Sequence, residues 1–552
     1  MSASGLLHRR APVALAAALA LLAAASPALG DSTKNPAPGS TQVKIQVLNV
    51  SDFHGQLDPL DIFGVGAVGG AAALSSYWAA DRAANPNTLL LTAGDAVGAS
   101  PPLSSFFEDR PTIEWMNYAG FDADSLGNHN FDAGLGRLQS QIDAAEFDYV
   151  SSNLRNVDHN LSGVAPYQIY EVGNVKVAVV GVTNPEAPTL VTPGNFGTIE
   201  ITDPVAAAMT AREQAREQGA KVFIAIGHLG VEGRDSAGNP IGPLVNFASG
   251  VSGFDLILGD HTDVEYSATI NGALVLENKS KGATYARTTL TYDRRAGRGV
   301  VDKSSEFVVP VVAGVTPDPM VNGLLAPYRA ELSEKLDVPI GTSDGVLPRG
   351  GNIERLGEVA IGNLTTDAMR TTYGTQIAFT NGGGLRAPLP SSYLPQDTTL
   401  RRNTAGYATG PPFDLVIGDI YALLPFGNEA LTRTVTGSQL WAALEHSVGS
   451  IPSANGKFLQ ISGFDLVYDA ARPAGSRVVS VTLDGGLAIP NSSSVTVSAT
   501  TNNFTNAGGD GYTMLADGQG VTRDLLANVV VDYVKANPSV TTALDGRITR
   551  LN

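Results

Sequence analysis

The chain has 552 residues, more than one ordinary hydrophobic core organises, so two domains are expected. It contains no cysteine, which excludes thiolate catalysis, cysteine zinc sites and disulfide support. A formal net charge of −17 argues against nucleic acid as a partner, and it admits an anionic small substrate only where metal ions or local arginines reverse the field.

In chain order, residues 1–30 read as a signal peptide: a basic start at Arg9 and Arg10, an Ala/Leu run too short to span a bilayer, then small residues before Asp31. Export is therefore expected (extracellular, cell-wall-associated or periplasmic), with no stable membrane anchor. Residues 31–42 are polar and Pro/Gly-rich, the composition of a disordered leader. From residue 43 to about 310, short apolar runs such as "VKIQVLNV", "TLLLTA", "VKVAVVGV" and "KVFIAIG" alternate with helical stretches such as "PVAAAMTAREQAREQG", the pattern of a layered α/β domain. Antiparallel hairpins over "GALVLENKSKGATYARTTLTYD" close it. Residues 311–336 read as a helical linker, and residues 337–552 as a second α/β unit with a long polar loop over 391–412. No protein partner is implied.

Four of the seven histidines stand where an apolar strand gives way to a polar loop: His54, His129, His228 and His261. In parallel or mixed sheets ligands bind beyond the C-terminal strand ends, so these positions are able to converge. His159 and His446 lack that setting and read as ordinary satisfied histidines. Asp52 and His54 are two apart and, on extended backbone, point the same way, as two ligands of one ion would. Asp95 follows the buried run "LLLTAG"; Asn128 adjoins His129, and Asp132 follows three residues on. Taken singly each has a bland alternative, since D-x-H makes an Asx turn and G-D makes a tight loop. Their joint occurrence in order is what carries weight.

These residues, "DFH", "GD", "GNHNFD", "GH" and "GDHTD", resemble the calcineurin-like metallophosphatase superfamily across roughly residues 43–300. The resemblance implies a four-layer α/β/β/α domain and two divalent ions, Mn, Zn, Co or Fe, which activate a water whose hydroxide attacks phosphorus in line with the leaving oxygen. It assigns Asp52, His54 and Asp95 to one ion, and the shared Asp95 with Asn128, His228 and His261 to the other. His129, oriented by Asp132, stabilises developing charge without binding metal. Asn130 stands where a glutamate is usual. In "GDHTD", Asp263 falls where the family places a His or Gln serving the first ion, and is expected to be a ligand reaching in from extended backbone. Asp260 takes the place of a glycine and is expected to form the turn rather than bind metal.

The second half carries its own motifs. "FTNGGGLRAPL" sets Asn381, three glycines and Arg386 after a strand, combining close backbone approach with a planar cationic fork. Phe426 and Asn428 lie in "PFGN", and Phe504 and Asp510 in "NNFTNAGGDGY"; two rings on Gly/Asn-rich loops suit stacking of a base, and Asp510 suits ribose hydroxyls. Arg355 precedes Glu358 in "NIERLGEVAIGNLTTDAM". Together these resemble the C-terminal domain of secreted bacterial 5′-nucleotidases, whose phosphatase domain is joined by a helical linker to a second α/β, substrate-binding domain. The implied activity is release of phosphate from the 5′-position of nucleotides. The same site chemistry is compatible with 2′,3′-cyclic nucleotide phosphodiesterase or UDP-sugar hydrolase activity, while a non-catalytic nucleotide-binding protein is disfavoured because Asp95, Asn128 and His129 are all present. The 391–412 loop exceeds the family pattern.

Overall fold

The structure is a computed structural model that describes residues 41–62, 64–295 and 299–552. The signal peptide expected over 1–30, and the leader apart from residues 41 and 42, lie outside the described residues. Among the described residues no helix is long and apolar enough to cross a membrane.

Two sheets dominate the first 310 residues. One has seven strands in the order Val300–Val308, Tyr285–Asp293, Gln42–Val50, Thr88–Thr92, Ala123–Ser125, Asp148–Val150 and Val164–Ala165. The other has six, in the order Tyr266–Ile270, Ala273–Glu277, Leu256–Leu258, Val222–Gly227, Val175–Val182 and Tyr167–Val172. Their apolar residues sort by the two-residue period of a strand. Val43, Ile45 and Val47 of the first sheet and Val177, Val179, Ile224 and Ile226 of the second meet in one cluster between the sheets. The alternate positions face outward: Leu48 and Val50 under the helix Ala71–Ala84, and Ala178, Val180 and Ala225 under the helix Pro204–Glu217. The order is helices, sheet, sheet, helices, the four-layer arrangement expected. Buried on both faces, the central strands read as nearly unbroken apolar runs.

Within each sheet the central strands run parallel: Gln42–Val50 pairs with Thr88–Thr92, and Val222–Gly227 with both Val175–Val182 and Leu256–Leu258. Their C-terminal ends therefore open together, and the loops after Val50, Thr92, Ser125, Gly227 and Leu258 carry the motif residues.

The expected linker contains the helix Pro319–Leu336, started by Pro319 and by Asp318, whose carboxylate accepts from the Met320 N–H at 2.8 Å. Its Val321, Leu325, Leu332 and Leu336 join the helical layer of the first sheet, and Tyr328 donates to Glu114 at 2.9 Å. The second unit is built on a five-stranded sheet, ordered Leu459–Ser462, Ile377–Asn381, Thr496–Asn502, Glu429–Thr436 and Val521–Leu525. Helices Ala360–Tyr373 and Leu526–Ala536 cover one face, and Gly437–Ser447 the other. The 391–412 segment has neither helix nor strand, yet it is stapled down: buried Arg402 donates twice to Asp419, at 2.6 and 2.7 Å, and Tyr393 donates to Asp337 at 2.6 Å.

The helical layer of the first sheet is anchored by aromatics. Trp115 is fully buried, stacks on Trp78 at 5.7 Å and donates from Nε1 to Ser75 Oγ at 3.0 Å. Trp115→Ala is expected to destabilise by about 3–5 kcal/mol, the range for deleting a large aromatic from a packed core. The check is the free energy of urea unfolding; a loss below about 1 kcal/mol would mean that this layer is not packed as described.

Candidate metal centre and nucleotide grip

The sequence suggests that Asp52/His54 and His261/Asp263 aim into the site from extended backbone; the backbone is otherwise. Asp52, His54, Asp95, His261 and Asp263 all have positive φ, at 40°, 47°, 49°, 95° and 60°. The chain kinks sharply as it leaves each strand, and Asp and His are held where glycine is usual, a conformation that costs of order 1–3 kcal/mol apiece and clusters at functional sites.

Asp95 lies at the centre. Its Oδ1 accepts from the His129 N–H at 2.8 Å, and its Oδ2 lies 3.0 Å from His228 Nε2. That nitrogen is also 3.1 Å from Asn128 Oδ1 and 3.0 Å from His261 Nδ1. On the other side His54 Nε2 is 3.8 Å from Asp52 Oδ1, while His54 Nδ1 lies 2.8 Å from the Gly98 carbonyl, a partner that fixes the ring and leaves Nε2 to face the site. Three groups form in which each residue offers one ligand atom and those atoms lie within 4.8 Å of one another: His54, Asp95 and His129; Asp95, His228 and His261; Asp52, His228 and Asp260.

Oxygen and imidazole donors converge here with little solvent to screen them. Asp52, Asp95 and His228 are 2%, 1% and 0% exposed, and Asp52 Oδ1 has no hydrogen-bond partner. Burial, with the neighbouring charge of His228, pushes His261 down to about 3, and burial with Arg386 holds His54 well below the usual imidazole range, so both rings present lone pairs. Burial also opposes charge on His228, but the Asp95 carboxylate outweighs it and raises that ring to about 9. A centre that draws a proton onto a buried imidazole calls for positive charge, and this hard and borderline donor set fits a divalent transition ion.

Small residues hold the shape. A Cβ on Gly127 would sit 2.1 Å from Asp95 Oδ1, so only glycine allows the close approach. Asn130, standing where the resembled family has glutamate, accepts from the Gly127 N–H at 2.8 Å and pins that turn. His129 Nδ1 meets Asp132 Oδ2 at 2.7 Å, and Asp132 with Asp95 raises His129 although burial opposes it.

The "GDHTD" stretch places its two aspartates differently from the expectation. Asp263 is exposed and belongs to none of these close groups; its charge acts on Lys281, Arg349 and Arg386 and also on Asp52. Asp260 does make a local turn bond, Oδ1 accepting from the His261 N–H at 3.0 Å, but it is fully buried and its carboxylate belongs to the Asp52–His228 group.

The second unit reaches this centre directly. Arg386 Nη2 is 3.4 Å from His54 Nε2, and its guanidinium lies 5.7 Å from the centre of the Phe426 ring. Phe426, which the sequence presents as an exposed loop aromatic, is half-buried and stacks on His129, ring centres 5.4 Å apart and planes 18° apart. Phe504 is half-buried above Gly509, where a Cβ would lie 2.3 Å from its ring. Asn381 donates to Asp510 at 2.7 Å, and His446, satisfied as expected, lies 2.7 Å from the Asp510 carbonyl. Asn428 contributes its carbonyl to the Leu526 N–H at 2.8 Å.

Two cations here had no motif to announce them. Buried Glu354 pairs with Arg355 at 3.4 Å and with Arg349 at 3.3 Å, and Lys281, from the first unit, donates to the Arg386 carbonyl at 3.5 Å. Burial and crowding by other cations push Lys281 down to about 7 and Arg386 to about 9, the signature of a pocket short of negative charge. Arg349, six residues before Arg355 in "LPRGGNIER", and Lys281 in "ENKSKG" sit in unpatterned loops; only their basicity set them apart.

Residues 339–517 match the family model for the 5′-nucleotidase C-terminal domain. The chain is 27% identical to the snake venom 5′-nucleotidase of Naja atra, over 92% of this chain and 98% of that protein. It is 28% identical to the endonuclease YhcR of Bacillus subtilis, over 84% of this chain but only 37% of that much longer protein. Among solved structures, the 5′-nucleotidase precursor of Thermus thermophilus superposes with a TM-score of 0.77 at 27% identity, covering 92% of this chain and all of that one. With the four-layer fold, the histidine–carboxylate centre and the second α/β unit, these likenesses make the chain similar to 5′-nucleotidases across both of its units, and residues 339–517 are a 5′-nucleotidase C-terminal domain.

Proposed function

We propose that this chain is an exported, metal-dependent phosphohydrolase that cleaves the 5′-phosphate of nucleotides to give nucleoside and phosphate. The observation that carries the reading is the junction of the two units, where Arg386 and Phe426 meet His54 and His129. It joins a cation-binding centre to a cationic, aromatic-lined grip, as a ligand with a phosphate at one end and a planar ring at the other requires.

In this reading Asp52, His54 and Asp95 hold one divalent ion, and Asp95, Asn128, His228 and His261 a second. Bound there, the ions supply a nucleophilic water at neutral pH and neutralise phosphoryl oxygens. The chain does the rest. Arg355 and Arg386 bind phosphate oxygens, with Arg349 and Lys281 adding charge. His129, its Nδ1 tied to Asp132, uses its other nitrogen to stabilise charge on the departing oxygen. Asn381 and Asp510 take the ribose hydroxyls, and Phe426 and Phe504 grip the base. Residues 1–30 direct export, with the basic start and short apolar run such a signal requires.

Four cationic side chains exceed what one phosphate needs, which favours a range extending to longer or esterified phosphates. Phosphate release from AMP, ATP, UDP-glucose and 2′,3′-cyclic AMP with several metals tests the reading; no release from any nucleotide would refute it.

Chelation is expected to abolish turnover and lower the melting temperature, and Mn or Zn to restore both, a ligand at a hundred times its Kd adding about 2.7 kcal/mol. Chelator-resistant hydrolysis would refute the metal centre. His129→Ala is expected to fold, bind metal and lose turnover by about 10²–10⁴-fold, measured against wild type at saturating AMP. Replacing Phe426 and Phe504 by alanine should weaken AMP use by about 1–3 kcal/mol per lost base contact while sparing a small aryl phosphate. Equal losses for both substrates would argue against base stacking.

A further inference from the structure

The strand Leu256–Leu258 delivers Asp260 to the same rim as His261, and the Asp260 N–H donates to the Leu229 carbonyl at 2.9 Å, fixing its place. Its side chain is fully buried. Oδ1 is used by the His261 N–H at 3.0 Å; Oδ2 has no partner. Opposite stands Asp52, 2% exposed, with Oδ2 used by the same N–H at 2.7 Å and Oδ1 without a partner.

Two buried carboxylates, each with one committed oxygen and one orphan, thus face a common space together with His228, within the 4.8 Å that ligands of one ion span. Leaving such oxygens unpaired is costly, and a cation between them removes the cost. Glu277, the neighbouring fully buried acid, shows the alternative: it accepts from the Val231 N–H at 2.8 Å, and from the Thr262 N–H at 3.0 Å and hydroxyl at 2.6 Å, so its oxygens are satisfied by the protein. Among the described residues no N–H or hydroxyl serves the free oxygens of Asp260 and Asp52, which have each other's carboxylate and His228 close by.

We propose that Asp260 is an additional carboxylate ligand of the metal centre, offering Oδ2 to the space that it shares with Asp52 and His228. This rests on the reading of the centre as a divalent-ion site and adds to it a ligand peculiar to this stretch. A further carboxylate beside Asp52 and Asp95 makes the shell of the centre harder and more negative, which shifts preference from Zn toward Mn. Asp263 is exposed and outside this close group, and it reaches Asp52 only through its charge.

The test uses the full chain, stripped with chelator and titrated with Mn or Zn, with affinity read by calorimetry and stoichiometry by elemental analysis. Asp260→Asn keeps the shape and one acceptor oxygen. It is expected to lower Mn affinity at least tenfold, lower Zn affinity less, and shrink the rise in melting temperature that Mn produces, while Asp263→Asn, outside the close group, has a smaller effect on all three. Asp260→Ala carries the same readouts should the Asn variant not fold. If wild type binds Mn and both Asp260 variants bind it with the same affinity and the same Mn-to-Zn ratio, the ligand assignment fails and the metal centre stands. If wild type binds no divalent ion, the metal centre itself fails, and this assignment with it.

Discussion

The constraint on which the rest depends is the convergence of lone pairs and carboxylates on Asp95. Its two oxygens are 2.8 Å from the His129 nitrogen and 3.0 Å from His228, in a place almost closed to water. Such an arrangement opposes folding, because buried like-charged groups gain nothing from one another and lose their hydration. It persists because the two sheets, packed through Val43, Ile45, Val177 and Ile224, fix where each strand ends, and because sharp left-handed turns aim the side chains inward. Gly127 and Asn130 belong to the same scaffolding: one removes the atom that would collide with Asp95, the other ties the turn that brings Asn128 and His129 past it.

The second unit answers with opposite charge. An acidic chain gathers Lys281, Arg349, Arg355 and Arg386 at one junction, with buried Glu354 holding two of the guanidinium groups apart. The cations depress one another's proton affinity, so the pocket is an unfilled demand for an anion next to a centre that demands a cation. In the proposed function a phosphate would satisfy the first demand and divalent ions the second, so ligand and metals would stabilise each other's place. The stack of Phe426 on His129 joins a loop of the second unit to the metal-centre rim of the first. The long 391–412 segment is held back by Arg402 and Asp419.

Much of this was legible in the chain. Strand and helix periods define the layers, since strands buried on both faces leave unbroken apolar runs and capped helices announce themselves, as at Asp318–Pro319. The order of D-x-H, G-D, G-N-H and later histidines marks the C-terminal strand ends of the two sheets. Less legible were groups whose meaning depends on who stands opposite. Lys281 and Arg349 are plain basic residues in loops until the junction places them beside Arg386. Within "GDHTD", alignment with the resembled family favoured Asp263, and the two-residue spacing on extended backbone let it point inward; φ is instead 95° at His261 and 60° at Asp263, Asp263 is exposed, and Asp260 shares a close group with Asp52.

By itself, then, the sequence determined the layers, the strand edge that carries the chemistry, and the residue types able to hold a cation and grip an anion. These follow from local pattern, because burial period, caps and turn residues act over a few positions. Tertiary structure alone decided which aspartate looks inward, which cations share the pocket, and that Phe426 lies against His129. Those depend on positive-φ turns and on contacts between residues hundreds of positions apart, whose energies no short stretch of chain encodes.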